Sequence, residues 1–97
     1  MKVIKELNGD KLNIKLEGRL DTTTSPELEQ ELKDISNVSE LIFDFENLEY
    51  ISSAGLRILL STQKEMSKHG NMKIKNVNND IMEVFEITGF VDILTVE

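Results

Sequence analysis

Apolar and polar residues alternate with a period of two near the start of the chain, which predicts a β-hairpin. Residues 3–7 form one short apolar segment, and Leu12, Ile14 and Leu16 then alternate with polar side chains. The turn between the two segments contains Asn8 and Gly9, a pair that favours tight hairpins. A strand with this alternation is expected to contact water on one face.

The next apolar residues recur at helical spacing and predict a first helix. One face of this helix carries its apolar residues, Leu28, Leu32 and Ile35. Two helix starts are compatible with the sequence. In one, Thr24 forms a capping box with Glu27. In the other, Ser25 caps the helix and Pro26 takes its first position.

A nearly continuous apolar segment at residues 41–45 predicts a central strand that is covered on both faces. A second amphipathic helix follows, and its apolar face includes Leu56, Leu59 and Leu60. This helix is expected to end near His69, with Gly70 in the left-handed C′ position.

Two further elements are predicted in the last third of the chain. Met72 and Ile74 alternate with lysines, which indicates a strand. Asn79 and Asp80 are candidate caps of a short helix that Gly89 ends. The mainly apolar residues 90–94 predict a final short strand or a strand-like end.

The order of these elements indicates an α/β fold. Strands alternate with helices after the hairpin, as in a mixed β-sheet of four to five strands packed with helices in a single pair of layers. Residues 1–97 have the length of one domain. Aromatic residues make up only 5% of the chain and tryptophan is absent, so the core is expected to be mainly aliphatic.

Charge and composition exclude several kinds of function. The formal net charge of −7 opposes binding to nucleic acid or to an anionic membrane. Cysteine is absent, which excludes disulfides and thiolate chemistry. No apolar run is long enough to cross a bilayer, and the first residues do not resemble a signal peptide. These features predict a cytoplasmic protein.

Ser52 and Ser53 lie where the central strand ends and the second helix begins. Either serine is suited to cap the helix. A hydroxyl at this position is also suited to accept a phosphoryl group, because free N–H groups and the helix dipole tolerate its charge. A Ser–His hydrolase is disfavoured, since roughly 16 helical residues, or about 24 Å, separate Ser53 from His69. No phosphate-binding glycine loop or metal-ligand motif occurs, so no cofactor, metal or catalytic residue is expected.

Two segments resemble the STAS domain family, and specifically its small, single-domain anti-sigma factor antagonists. Residues 44–56 resemble the family's strand end, serine-containing turn and Gly-Leu helix start. Residues 18–24 are similar to its Gly-x-Leu-Asp-x-x-Thr segment. The order of elements extends the resemblance over essentially the whole chain, which implies a STAS-like fold.

The resemblance implies a binding regulator rather than an enzyme. Ser53 aligns with the serine that is phosphorylated by an anti-sigma factor with serine-protein kinase activity, and Ser52 is the alternative acceptor. The unphosphorylated form is expected to bind that kinase and free a sigma factor, and a PP2C-type phosphatase is expected to reverse the modification. The expected partner-binding residues are Asp21, Thr24, Ser52, Ser53, Ala54, Gly55 and Arg57.

Two residues depart from the family pattern. Ser52 stands where members often carry aspartate, and Ala54 stands where many have a second serine. The first departure is expected to alter kinase recognition and local charge. The alternative function is a STAS subunit of a signalling scaffold or a membrane-transport complex that has no phosphate cycle.

Overall fold

The computed structural model describes all residues from 1 to 97. Four strands form one sheet in the order β1-β2-β3-β4, in which β1 is antiparallel to β2 while the other neighbours are parallel. The predicted α/β class with a mixed sheet is therefore confirmed. The elements are β1 (Lys2–Asn8), β2 (Lys11–Leu20), α1 (Ser25–Glu31), β3 (Glu40–Ile51), α2 (Ser53–Met66), β4 (Asn71–Lys75) and α3 (Asn79–Thr88).

The predicted hairpin joins β1 to β2. Asn8 pairs with Lys11, which leaves Gly9 and Asp10 as a two-residue turn. Gly9 has a φ of +64°. Asp10, the second residue of the turn, does not have a positive φ, since Asn76 is the only non-glycine residue that does. A glycine with positive φ at the first central position is the signature of a type II′ turn, whose twist suits a tight hairpin.

The helices cover only one face of the sheet. On β3, the side chains of Leu41, Phe43 and Phe45 are buried, while Ile42 and Asp44 on the opposite face are half-buried. The expectation that β3 is covered on both faces is therefore wrong. The open face of β3 is partly polar and continues into polar residues of the neighbouring strands. The nearly continuous apolar run at residues 41–45 did not indicate this exposure.

The core is a cluster of 21 buried apolar residues between the covered face of the sheet and the helices. Leu28 and Leu32 of the α1 region contribute to it, as do Leu56 and Leu59 of α2. Leu60 is half-buried. The core is mainly aliphatic, as expected, and none of the helices is both long and apolar enough to cross a membrane.

Gly70 follows α2 but is not in the left-handed conformation that was predicted for it. The helix ends at Met66, and Gly70 packs directly against the backbone of Ser39. A Cβ atom at this position would collide with the Ser39 carbonyl oxygen. The glycine is required by this close approach between two segments that are distant in sequence.

The end of the chain also differs from the prediction. Asn78, rather than Asn79 or Asp80, caps α3, and its side-chain oxygen accepts a hydrogen bond from Ile81 N–H at 2.8 Å. Gly89 ends α3 with a φ of +80°, as expected. The predicted strand is wrong at residues 90–94, and the only strand-like pairing at this end is a single parallel bridge between Val96 and Ile74 of β4. Residues Phe90–Asp92 instead form a short 3₁₀ turn, because the chain continues to bend after Gly89.

Candidate functional site

The carboxyl ends of β2 and β3 lie side by side and bring two turns together. Leu20 is in register with Ile51, and the Ser52 N–H donates to the Leu20 carbonyl oxygen at 2.9 Å. Residues 21–24 therefore leave the sheet beside residues 52–55. The proximity of Asp21 to the serine turn follows from this pairing of parallel strands.

Ser52 is the N-cap of α2. Its Oγ accepts a hydrogen bond from the Gly55 N–H at 3.4 Å, and its carbonyl oxygen accepts one from the Leu56 N–H at 2.9 Å. Its backbone is extended, as is usual for an N-cap. Of the two serines that were considered for this role, Ser52 takes it.

Ser53 is the first helical residue of α2, and its side chain is exposed. Its hydroxyl makes no hydrogen bond within the protein. The N–H groups of Ser53 and Ala54 belong to the first turn, where an α-helix supplies no carbonyl partner. The positive end of the helix dipole lies at the same place. The Ser53 hydroxyl is therefore accessible and lies in a setting that tolerates negative charge.

Gly55 is buried against the end of the sheet. A Cβ atom at this position would lie 2.8 Å from Leu20 Cγ and 2.9 Å from Ile51 Cγ1. Contacts this short would force neighbouring atoms to move. Gly55 thus lets the first turn of α2 pack closely on β2 and β3, which holds the neighbouring serines against the strand ends.

Asp21 organises the other turn with one carboxylate oxygen. Its Oδ1 accepts hydrogen bonds from the Thr23 hydroxyl at 2.8 Å, the Thr23 N–H at 3.0 Å and the Thr24 N–H at 3.1 Å. The hydrogen bond from the Thr23 hydroxyl is the main cause of a lowered pKa for Asp21. Desolvation opposes it, and the backbone N–H groups of Thr24 and Thr23 lower the pKa further. Asp21 is therefore a fixed negative charge at neutral pH.

Thr24 holds the same turn to the end of β2. Its Oγ1 accepts a hydrogen bond from the Asp21 N–H and donates one to the Arg19 carbonyl oxygen, both at 2.8 Å. Although Thr24 occupies the N-cap position of α1, its side chain does not cap the helix. The predicted start with Thr24 at the N-cap has the correct position but lacks the capping box. The alternative start is wrong, because Ser25 is the first helical residue rather than the cap.

Arg19 and Tyr50 form a contact that the sequence analysis did not identify. The two residues are in register on neighbouring strands, and the Arg19 guanidinium lies 4.2 Å from the centre of the Tyr50 ring. Arg19 Nε also lies 3.8 Å from Asp21 Oδ2. The sequence pattern places both residues near strand ends, but their contact depends on the register between β2 and β3, which the pattern does not determine.

Ala54 and Arg57 line a shallow groove between α1 and α2. The opposite wall includes Pro26 and Glu29 of α1. Arg57 is exposed and forms no ion pair within the protein, so its guanidinium is available to a ligand or partner. The two turns and this groove form one continuous region around the start of α2.

His69 lies beyond the opposite end of α2. Its Nδ1 is 2.9 Å from the Val38 carbonyl oxygen, and its Nε2 is 3.1 Å from Glu65 Oε2. It is thus removed from Ser53, as the helix length predicted, and it contributes to the structure where α2 ends. No group of three or more histidine, cysteine, aspartate or glutamate side chains is arranged to hold a metal ion.

Comparison with known proteins agrees with the observed fold. The family model described as the STAS domain matches residues 2–97. The anti-sigma-B factor antagonist of Staphylococcus aureus is 33% identical over 86 residues, covering 86% of this chain and 80% of that protein. The chain therefore belongs to the STAS domain family. With such relatives, it is a binding regulator rather than an enzyme.

Two solved structures support the same fold. An anti-sigma factor antagonist from Mycobacterium paratuberculosis has a TM-score of 0.88 at 21% identity, over 98% of this chain and 83% of that one. The Bacillus cell fate determinant SpoIIAA in its phosphorylated form has a TM-score of 0.78 at 20% identity, over 99% of this chain and 91% of that one.

Proposed function

We propose that this chain is an anti-sigma factor antagonist controlled by phosphorylation of Ser53. In its unphosphorylated form it binds an anti-sigma factor that has serine-protein kinase activity, and this binding frees a sigma factor. A PP2C-type phosphatase removes the phosphate and restores binding. The names of the relatives support the antagonist role, and a similar protein is known in a phosphorylated form.

The observation that carries the proposed switch is the division of roles between the two serines. Ser52 caps α2 through its Oγ, whereas the exposed Ser53 hydroxyl has no partner within the protein. Modification of Ser53 therefore removes no intramolecular hydrogen bond. Phosphorylation of Ser52 would instead disturb the cap, which makes Ser52 the less suitable acceptor.

Added charge at Ser53 weakens binding without unfolding the domain. A phosphoserine carries a charge of about −1.5 to −2, and the free N–H groups at the start of α2 offset part of this charge within the protein. A partner docked on the same surface has to desolvate the phosphate or move away. A loss of about 3 kcal/mol in binding free energy weakens affinity more than a hundredfold.

The proposed partner surface consists of the two turns and the start of the groove. Asp21 supplies a fixed negative charge and Arg57 a positive one, so the surface presents both signs to a partner. Thr24 and Gly55 act by holding the backbones of the turns, since their own contacts are internal. The residues proposed to meet or shape the partner surface are Asp21, Thr24, Ser52, Ser53, Ala54, Gly55 and Arg57.

Phosphorylation by the cognate kinase tests the switch. The protein, Ser52→Ala and Ser53→Ala are each incubated with the kinase and ATP, and the phosphate is located by mass spectrometry. We expect phosphate on Ser53 in the unmodified protein and in Ser52→Ala, and none in Ser53→Ala. Absence of phosphate from both serines, with Ser53→Ala still regulated normally, overturns the switch.

Titration calorimetry with the same kinase tests the binding surface. Ser53→Asp is expected to weaken binding at least tenfold, and Asp21→Asn and Arg57→Ala are expected to weaken it as well. Asp92→Asn serves as the control, because Asp92 is an exposed aspartate outside both turns. Unchanged affinity in all three site variants contradicts the proposed surface.

A further inference from the structure

Strand β1 forms one edge of the sheet, and its outer side is free. Its only neighbour is β2, and none of residues 2–7 makes a backbone hydrogen bond outside that pairing. Two of its apolar side chains are also exposed, Ile4 at 41% and Leu7 at 62%. Such an edge is a template for another strand unless the protein blocks it.

The hairpin determines which backbone groups of β1 face outward. Asn8 and Lys11 close a two-residue turn, so they exchange hydrogen bonds with each other. Hydrogen-bonded pairs alternate along an antiparallel ladder, and the backbone groups of Glu6, Ile4 and Lys2 therefore also point towards β2. The N–H and C=O groups of the intervening odd-numbered residues, Val3, Lys5 and Leu7, point to the free edge.

The sequence of β1 is complementary to itself in the antiparallel direction. When two copies are aligned with Ile4 opposite Ile4, Lys2 lies opposite Glu6 of the second copy, and Glu6 lies opposite its Lys2. Val3 then exchanges backbone hydrogen bonds with Lys5 of the second copy, as the outward groups require. Met1 meets Leu7 of the second copy. Each charged pair occurs twice because the arrangement has twofold symmetry.

Lys2 and Glu6 have no ion-pair partner within one molecule. The four ion pairs between Lys or Arg and acidic side chains are Lys5–Glu31, Lys11–Glu40, Arg19–Asp21 and Lys73–Glu97. Lys2 and Glu6 lie four positions apart on one strand, or roughly 13 Å, which is too far for a mutual ion pair. Opposite each other on paired strands they lie about 4.5 Å apart at Cα.

Other registers that preserve the outward hydrogen bonds are less favourable. Shifting the second copy by two residues, the smallest shift that keeps the outward groups paired, places Lys5 directly opposite Lys5 and Ile4 opposite Glu6. Sliding it in the other direction places Lys2 opposite Ile4 and shortens the ladder. Lysines on an edge strand usually prevent pairing. In the Ile4-centred register, Lys2 instead has an acidic partner.

We propose that β1 pairs with β1 of a second copy of this chain, in the antiparallel register centred on Ile4, to form a symmetric dimer with a continuous eight-stranded sheet. The strand contact alone is smaller than a standard protein interface, so the dimer is weak and reversible. Ser53 lies at the start of α2, beside the end of β3 and separated from this edge by β2, and it remains exposed in both copies.

Sedimentation equilibrium tests the dimer at protein concentrations from about 10 µM to about 1 mM, the range in which small interfaces associate. The unmodified protein is expected to shift from monomer to dimer across this range. Ile4→Lys places two like charges on the symmetry axis and is expected to abolish the shift. Ile87→Lys changes an exposed isoleucine on α3 in the same way and should leave dimerisation intact.

Charge reversal tests the register. Lys2→Glu and Glu6→Lys each convert two attractive pairs into repulsive ones and should weaken the dimer roughly tenfold. The double variant recreates both pairs with exchanged signs and should restore it. A monomer throughout the concentration range, a dimer that survives Ile4→Lys, or a double variant as weak as the single ones overturns the proposal.

Discussion

The N–H of Ser52 donates a hydrogen bond to the carbonyl oxygen of Leu20 across 2.9 Å. This contact joins the residue that caps α2 to the residue that ends β2. The serine turn and the Asp21 turn are consequently held by one strand pair. The position of the Ser53 hydroxyl is thus determined by the β2–β3 pairing as well as by α2 itself.

Removal of each serine hydroxyl should affect stability differently. Ser52→Ala removes the N-cap of α2 and is expected to lower the free energy of unfolding by about 1 kcal/mol. Ser53→Ala removes an exposed hydroxyl without a partner and is expected to change it by less than about 0.5 kcal/mol. Urea denaturation of both variants measures the difference. Equal losses would contradict the assignment of the cap to Ser52.

Gly55→Ala should destabilise the protein despite the better helix propensity of alanine. Propensity alone predicts a gain of up to about 1 kcal/mol. The new methyl group, however, meets Leu20 and Ile51 within 3 Å, and overpacking of this kind costs about 1–3 kcal/mol. We expect a lower urea midpoint, with Ser53→Ala as the control. A midpoint above that of the unmodified protein would show that the turn relaxes freely.

Gly70→Ala should destabilise the protein at a point far from the serine turn. The added methyl group displaces the Ser39 carbonyl oxygen, which accepts a hydrogen bond from the Asn71 N–H at 3.0 Å. Overpacking and the weakened hydrogen bond together are expected to cost about 2 kcal/mol or more. Amide exchange at Asn71 should be faster than in the unmodified protein. Unchanged exchange and stability would mean that Ser39 moves away without cost.

The lowered pKa of Asp21 predicts a defined pH dependence. Its hydrogen bonds stabilise the ionised carboxylate in the folded state, so its contribution to stability is present above the ordinary pKa of 3.8. This contribution is lost as the pH falls through the lower pKa of the folded state. The stability difference between the unmodified protein and Asp21→Asn should therefore be largest at neutral pH and shrink in acid.

Two measurements check this dependence. The Asp21 carboxyl carbon, followed by NMR, should titrate with a midpoint below 3.8. Urea denaturation at a series of pH values gives the stability difference, and Asp92→Asn provides a matched control at an exposed aspartate. A midpoint at or above 3.8 would mean that the Thr23 and Thr24 hydrogen bonds do not persist in solution.

Local sequence patterns were sufficient for most of the fold. The hairpin and the three helices follow from side-chain periodicity and from turn residues such as Gly9 and Gly89. The predicted strand at residues 90–94 was wrong because a short apolar run is compatible with more than one backbone conformation. Gly70 was misassigned for another reason. A glycine is required at this position because the chain packs against Ser39, and no local sequence pattern reveals a contact between such distant residues.

The candidate site was only partly accessible from sequence. The motif predicted the serine turn, but two adjacent hydroxyls left open which of them caps α2 until the backbone geometry was known. Thr24 was one of two candidate caps of α1, whereas its hydroxyl bonds within the Asp21 turn and to the Arg19 carbonyl oxygen. The contact between Arg19 and Tyr50 depends on strand register, which side-chain periodicity does not determine.

Because β2 and β3 pair in the folded chain, the complete site exists there and not in short fragments of the chain. Leu20 and Ile51 are distant in sequence, and the chain between them includes α1. A short peptide around Ser53 contains the proposed acceptor but lacks the Asp21 turn and the strand ends that support it. A kinase that contacts both turns would therefore ignore nascent or misfolded chains, and phosphorylation would report only on molecules that have completed folding.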